Sequence, residues 1–357
     1  MNIDFHYGVV YVVSRLGGLS TADATTVAHA CQYVDDATTS GLLYFSGGET
    51  FERFATAHKL FDYENLINEG NRLVWTPFHF LPGGEGQTLE ERAICRPNSE
   101  IAQAVVKRAI AHKGASNALH RLGVTLHTYV DTWAHQRFAG IECASNKVRH
   151  LEAEDCTREQ WLHRFANFMK REIAEMESDM LSDALPLGHG AALHYPDQPW
   201  AKWNYVNGHG EHVHRENLGD FVTAAEMACR AVQGYCAGNQ DFMSNSGMSP
   251  EASAALRNLL DMNRNTDEIA RLKTISDSVA AGTIPGLREQ IPTYIGKGAG
   301  SWKHLATGIK EDGDGHERPV WSEGFEESDY RKFHDAVKEH RAVVTQDILP
   351  AHKLRLN

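Results

Sequence analysis

His127, Asp131 and His135 stand at four-residue intervals in ALHRLGVTLHTYVDTWAHQRFAG, a run whose leucines, valines and glycine read as one buried helix. A step of four advances a helix by about 40°, so the three side chains share a stripe about 80° wide along two turns. Two imidazoles and a carboxylate on a buried face are costly unless something pairs with them. A divalent transition metal is the partner these ligand types share. A hydrogen-bonded His/Asp network inside a helix bundle is the competing use of the same stripe.

The chain is 357 residues long, and no Pro/Ser/Gly-rich stretch divides it. One large helical domain spanning 1–357 is expected, with its core over about 1–240 and a helical C-terminal extension over 241–357. A net charge of −12 disfavours a broad electrostatic grip on duplex nucleic acid. The 20 histidines are scattered through the chain, which a purification tag does not explain. The amino terminus, MNIDFHYGVVYVVSRLGG, carries Asp4 and His6 where a secretory leader would be basic, and no run reaches the length of a membrane span. The six cysteines form no CxxC pair and read as reduced thiols, so a cytoplasmic protein is expected, with leaderless secretion left open.

Periodicity and caps predict helices throughout. A short buried helix covers residues 6–17, and Ser20 or Thr21 caps a second that ends on Asp35 and Asp36. FERFATAHKLF (51–61) reads as helical, whereas RLVWTPFHFLPGGEG reads as a loop because of Pro77, Pro82 and Gly83-Gly84. Asn98 or Ser99 opens the helix EIAQAVVKRAIAHK, which leads into the central His/Asp helix. An amphipathic helix over CTREQWLHRFANFMKREIAEMESDML follows, then a Pro/Gly/His-rich loop, then helices at 218–238, 249–262 and 328–347. Hardly any segment alternates with period two, so the expected fold class is all-α.

Further donors lie outside the central helix. His6 begins the first helix among aromatic neighbours. Asp35 and Asp36 place two carboxylates at a helix carboxyl end, where they oppose the macrodipole unless a cation offsets them. His79 sits between two phenylalanines and needs a partner for its ring nitrogens. The loop GHGAALHYPDQP offers His189, His194 and Asp197. His150 and Glu154 stand at helical spacing in a charged stretch that reads as exposed, and GHGEHVHRE, with His209, His212 and His214, reads as a mobile polar loop.

The order of a first helix bearing His, a second ending in Asp, and a central helix carrying His-x-x-x-Asp with a following His resembles the zinc-dependent bacterial phospholipases C and the related fungal single-strand nucleases. The words VDDAT, PFHFLPGG, DTWAHQ and GHGAALHYPD also resemble a set of uncharacterised bacterial proteins of unknown function, over most of the chain. The resemblance implies an all-helical fold and a cluster of three zinc ions that binds phosphate and activates water. Three departures stand out, one being that the interval from Asp131 to the next histidine is four here and somewhat longer in those enzymes. In the phospholipases the free amino group of an amino-terminal tryptophan is a ligand, whereas this sequence begins with Met1. Their later His-x-x-x-Glu pair has two rivals here, His150/Glu154 and the loop around His189.

The expected function is therefore a hydrolase of phosphoesters, with a lipid or another small molecule as substrate. It would use two or three Zn2+ held by His6, Asp35, Asp36, His79, His127, Asp131, His135, His189 and Asp197, with Asp35 or Asp36 as general base. Trp75, Phe78, Phe80 and Trp133 lie beside these donors and can either wall an apolar pocket or pack the core. Two other readings use the same donors: a dinuclear iron or manganese oxidoreductase, and a non-enzymatic metal-stabilised scaffold or toxin. The dipeptide His334-Asp335 lacks accompanying ligands and is set aside.

Overall fold

The computed structural model describes residues 1–57, 72–173, 189–311 and 318–355. A buried π-helical turn, Asp4–Val9, runs directly into α1 (Val10–Leu16). Ser20 caps α2 (Thr21–Asp36), its side chain accepting from the Asp23 backbone amide. After a hairpin of β1 (Gly41–Tyr44) and β2 (Thr50–Arg53) come α3 (Arg72–Phe78), α4 (Leu89–Ala93), α5 (Glu100–Ala111) and the central α6 (Ala118–Ala134). Strand β3 (Arg149–Ala153) and α7 (Arg158–Ile173) precede the hairpin of β4 (Lys202–Val206) and β5 (His212–Glu216). Helices α8 (Asn217–Ala237), α9 (Pro250–Met262) and α10 (Glu268–Ala281) follow. The chain closes with α11 (Trp302–Thr307), α12 (Glu323–Glu326), α13 (Asp329–Ala342), a π-helical stretch Val343–Ile348 and α14 (Leu349–Ala351).

Helices dominate, but the fold is mixed rather than all-α. About 55% of it is helical, and it also holds an antiparallel pair β1-β2 and an antiparallel sheet ordered β3-β4-β5. The strands are four or five residues long, and their buried positions include Arg53 and Arg215, so alternation of apolar with polar residues is nearly invisible in the sequence. The segment expected to be helical from 51 begins instead as strand β2, with Phe51 and Arg53 turned inward; residues 58–61 lie outside the described residues. GHGEHVHRE supplies β5 rather than a mobile loop: Val213 and Arg215 face in, while His212 and His214 face out. His150 belongs to β3, so it and Glu154 do not form a helical pair. The stretch around Trp75 is helix α3 with Pro77 in its last turn, rather than a loop. Helix α10, between the expected helices, went unread.

Two close contacts set the frame of the centre. Helices α2 and α6 cross at Gly123, where a Cβ would stand 2.4 Å from the Val27 carbonyl oxygen and 2.6 Å from the Ala30 Cβ. No other residue lets the backbones approach so closely. From the far end of the chain, α10 packs on the π-helical turn, where Arg271 holds Asp4 with two bonds of 2.8 and 2.9 Å; both side chains are essentially buried. The main buried cluster accordingly runs from Met1 to Leu354.

Histidines buried away from the centre give a pH prediction. Burial pushes His334 down to about 3 and His340 to about 4, so both are neutral in the fold. The unfolded chain takes up these protons near pH 6.5. Their contribution to stability is therefore complete above that pH and is lost as pH falls toward the folded values. Urea unfolding followed by circular dichroism is expected to give a lower midpoint at pH 5 than at pH 7.5, and replacing His340 with glutamine is expected to shrink the difference.

Candidate metal centre

Five separate segments bring eight donors together. The π-helical turn supplies His6, the end of α2 supplies Asp35, and the residue following α3 is His79. Helix α6 contributes His127 and Asp131, with His135 as its carboxyl cap rather than a residue of the helix proper. His189 and Asp197 come from a segment of short 3₁₀ turns before β4. Three groups have donor atoms within 4.8 Å of one another and can hold metal ions: His6/His127/Asp131, Asp35/His79/His127, and His135/His189/Asp197.

Asp131, fully buried, stands at the middle. Its Oδ1 lies 3.0 Å from His6 Nε2, and its Oδ2 lies 3.3 Å from His127 Nε2 and 3.5 Å from both His79 Nδ1 and His135 Nδ1. On one flank, His6 Nδ1 is 2.9 Å from Asp35 Oδ2. On the other, Asp197 Oδ1 lies 3.3 Å from His135 Nε2, and Asp197 Oδ2 lies 3.6 Å from His189 Nε2. The Met1 amino group lies between the two buried carboxylates, 2.7 Å from Asp131 Oδ1 and 3.2 Å from Asp197 Oδ1. A main-chain nitrogen, that of Met1, thus reaches the cluster as an ammonium paired with its carboxylates.

Backbone carbonyls behind the rings fix which nitrogens face inward. His79 Nε2 donates to the Thr56 carbonyl, His127 Nδ1 to that of Cys31 and His135 Nδ1 to that of His79, each at 2.8 Å. In its neutral form each ring then presents a lone pair on its other nitrogen. Those of His79 and His127 face each other across 3.2 Å. Asp131 Oδ2 and His189 Nδ1 are buried without any hydrogen bond. Opposed lone pairs and an orphaned carboxylate oxygen at one point are the arrangement a bound cation satisfies, so the residues fit metal ions.

Protonation states agree for His127, His189 and the carboxylates, whereas His6, against its burial, is raised by Asp131 and Asp35. Burial, reinforced by His6, holds the His127 imidazole down at about 4, and burial likewise lowers His189 to about 4. Burial alone would raise Asp35, but His127 and His6 bring it down to about 2. Burial also opposes ionisation of Asp131 and Asp197, yet His135 and the Met1 ammonium hold the first well below the usual carboxylate range, and the ammonium and His189 do the same for the second. The Met1 ammonium resists its own burial and rises to about 11 through Asp131, Asp197 and Asp35. Ionised carboxylates and neutral imidazoles are the forms that ligate metals.

Asp36 is the correction. Its carboxylate accepts from Tyr294 Oη at 2.6 Å and from Gln32 Nε2 at 3.4 Å, outside the three groups. Adjacent residues on a helix point about 100° apart, so only one of the two carboxylates at the end of α2 faces the centre. Between the rivals for the last ligands, the His189 loop is in the cluster, and His150 is not. His209 instead pairs with Glu90 at 2.8 Å. Phe78, Phe80 and Trp133 are core residues, Phe80 stacking on the His135 ring, while Trp75 is half-buried with its ring centroid 5.3 Å from that of His79. Sequence reasoning missed the Met1 amine and the Arg271–Asp4 pair; the uninterrupted burial of Met1 through Val9 apart from Asn2 is their common structural sign.

What these elements define is a helix-centred His/Asp cluster able to hold metal ions, and no helix among the described residues is long and apolar enough to cross a membrane. Residues 1–348 match the family described as a family of unknown function, DUF6765, and the chain belongs to that family. Comparison with the curated proteins and with the solved structures gives no match.

Proposed function

We propose that this protein is a metal-dependent hydrolase of phosphoesters, with zinc as the ion. The observation that carries the reading is the unpartnered Asp131 Oδ2 facing the bare nitrogens of His79 and His127. Five imidazoles and three aspartates suit zinc better than the glutamate-rich sets of dinuclear iron and manganese bundles. The likeness of His127-x-x-x-Asp131 to the central motif of the phospholipases C and single-strand nucleases supports the choice of phosphate chemistry.

Bound ions would draw in phosphate oxygens and bring the pKa of water toward neutrality. Hydrolysis breaks the P–O bond to one alcohol, water giving its hydroxyl to phosphorus and its proton to the departing oxygen. Around that event the chain's own groups hold and orient. The carbonyls of Thr56, Cys31 and His79 keep three rings aimed, and Asp131 ties the two flanks together. Asp35, with a pKa near 2, is a poor proton acceptor at neutral pH and serves better as a ligand than as the general base. The Asp35 side chain is 31% exposed and that of His189 is 18% exposed, so each flank has a donor in reach of solvent, which a closed structural site does not need.

Elemental analysis of protein purified without an affinity tag tests the proposal alongside turnover of bis(4-nitrophenyl) phosphate. Two or three zinc ions per chain are expected, with hydrolysis lost to a chelator and restored by zinc. Iron with visible absorbance would support an oxidoreductase instead. A single tightly held zinc with no hydrolysis would support a scaffold.

A further inference from the structure

A cleft of about 730 Å³ is lined by Asn2, His194, Tyr195 and Gln198, which neighbour cluster residues in sequence, and by Thr266 and Glu268 among others. Its walls continue the ligand-bearing segments. Asn2 follows the residue whose amino group joins Asp131 to Asp197. Tyr195 shares its 3₁₀ turn with Asp197, and His194 and Gln198 cap that turn. Glu268 stands close enough to the centre for Asp35 and Asp197 to add to the rise that burial and Asp4 impose on its carboxyl.

The residues around the cleft are mostly polar, whereas a small-molecule site ordinarily carries only a few polar groups. Here two carboxylates, three carboxamides, two hydroxyls, an imidazole and the Arg164 guanidinium line the space, and Leu193 is the aliphatic exception. The polar walls are also held in place. Tyr195 Oη accepts from Arg164 at 2.9 Å and donates to Asp155 at 3.1 Å. In the orientation that satisfies both neighbours, the Asn2 carboxamide oxygen accepts from Arg271 Nη2 at 2.8 Å and its nitrogen donates to Glu268 Oε2 at 3.3 Å. Acyl chains would desolvate these groups without replacing their hydrogen bonds, whereas hydroxyl groups both donate and accept. Of the aromatic residues that could have received a lipid tail, Phe78, Phe80 and Trp133 are packed into the core, and half-buried Trp75 does not line this cleft.

We infer that this cleft binds a polyhydroxylated group, a sugar or polyol, esterified to the phosphate that the metal centre attacks. The inference rests on the hydrolase reading for the phosphate and on the cleft for the alcohol. A free polyol phosphodiester and a lipid headgroup share this chemistry.

Glycerophosphoglycerol serves as the soluble probe, vesicles of phosphatidylglycerol as the lipid one, and bis(4-nitrophenyl) phosphate as a comparator lacking hydroxyls. Saturation-transfer NMR with glycerophosphoglycerol is expected to label the glycerol protons on the native protein and to lose that signal in Glu268→Gln and Gln198→Leu. The kcat/KM ratio of glycerophosphoglycerol to the comparator is expected to fall at least about tenfold in each variant. Preference for the soluble diester identifies a free substrate and preference for the vesicles a lipid headgroup; both support a polyol site. Unlabelled glycerol protons on the native protein, or a ratio unchanged within about twofold in both variants, overturn it. Should the zinc-loaded protein hydrolyse no phosphoester, the hydrolase reading falls, and the NMR result alone decides whether the cleft takes a polyol.

Discussion

Asp131→Asn is expected to strip the centre of most of its metal and to abolish measurable phosphodiester hydrolysis. The side chain keeps its shape, but a neutral amide replaces the charge facing four imidazoles and the Met1 ammonium. Losing an outer-shell partner of a metal ligand costs on the order of 10–100-fold in affinity. Asp131 touches donors of all three groups, so a larger loss is expected, spread over every ion rather than confined to one. Metal counted by mass spectrometry after dialysis, beside far-ultraviolet circular dichroism to confirm the helices, checks this. Full zinc content in a folded Asp131→Asn protein would remove the basis for the site.

The second large effect is expected far from the ligands in sequence. Arg271→Met leaves Asp4, 2% exposed, as a buried carboxylate without its counter-charge. Breaking such a pair from one side costs about 3–5 kcal/mol. Arg271 also donates to the carbonyls of Asn265 and Thr266 and packs over the Trp200 ring, so the loss belongs at the upper end of that range. Replacing Asp4 with asparagine in the same chain is expected to recover part of it, because the stranded charge is then absent. Urea titrations of the two single variants and the double variant measure the coupling. An Arg271→Met protein as stable as the parent would show that the pair contributes no net stability.

What could be read from the sequence follows from how local each signal is. The stripe of His127 and Asp131 depends only on helical periodicity, and the caps at Ser20 and Ser99 depend on three-residue patterns; the structure shows these features. Asp35 and Asp36 were equivalent by sequence, because the turn of α2 that separates them has meaning only once Tyr294 arrives from far along the chain. The strands failed to register because Arg53 and Arg215 occupy inward positions, where the buried Arg215 guanidinium donates to the carbonyls of Trp133, Ala134 and Gln136 at the end of α6. An inward arginine that caps the helix leading to His135 reads, in one dimension, as a surface residue. Arg271 and Glu268 escaped notice for the same reason: charged residues near the start of an amphipathic helix carry no mark of what they meet.

The narrow crossing at Gly123 also bears on the spacing of the candidate metal donors. His127 leans its ring on the Cys31 carbonyl of α2, and Asp35 projects from that same helix four residues later, so the helix-to-helix gap works as a caliper for the donors on either side. A methyl group at position 123 would wedge the caliper wider and lengthen every span across it at once. The spacing of donors that could hold a metal ion is thus set partly by a residue that owns no side chain.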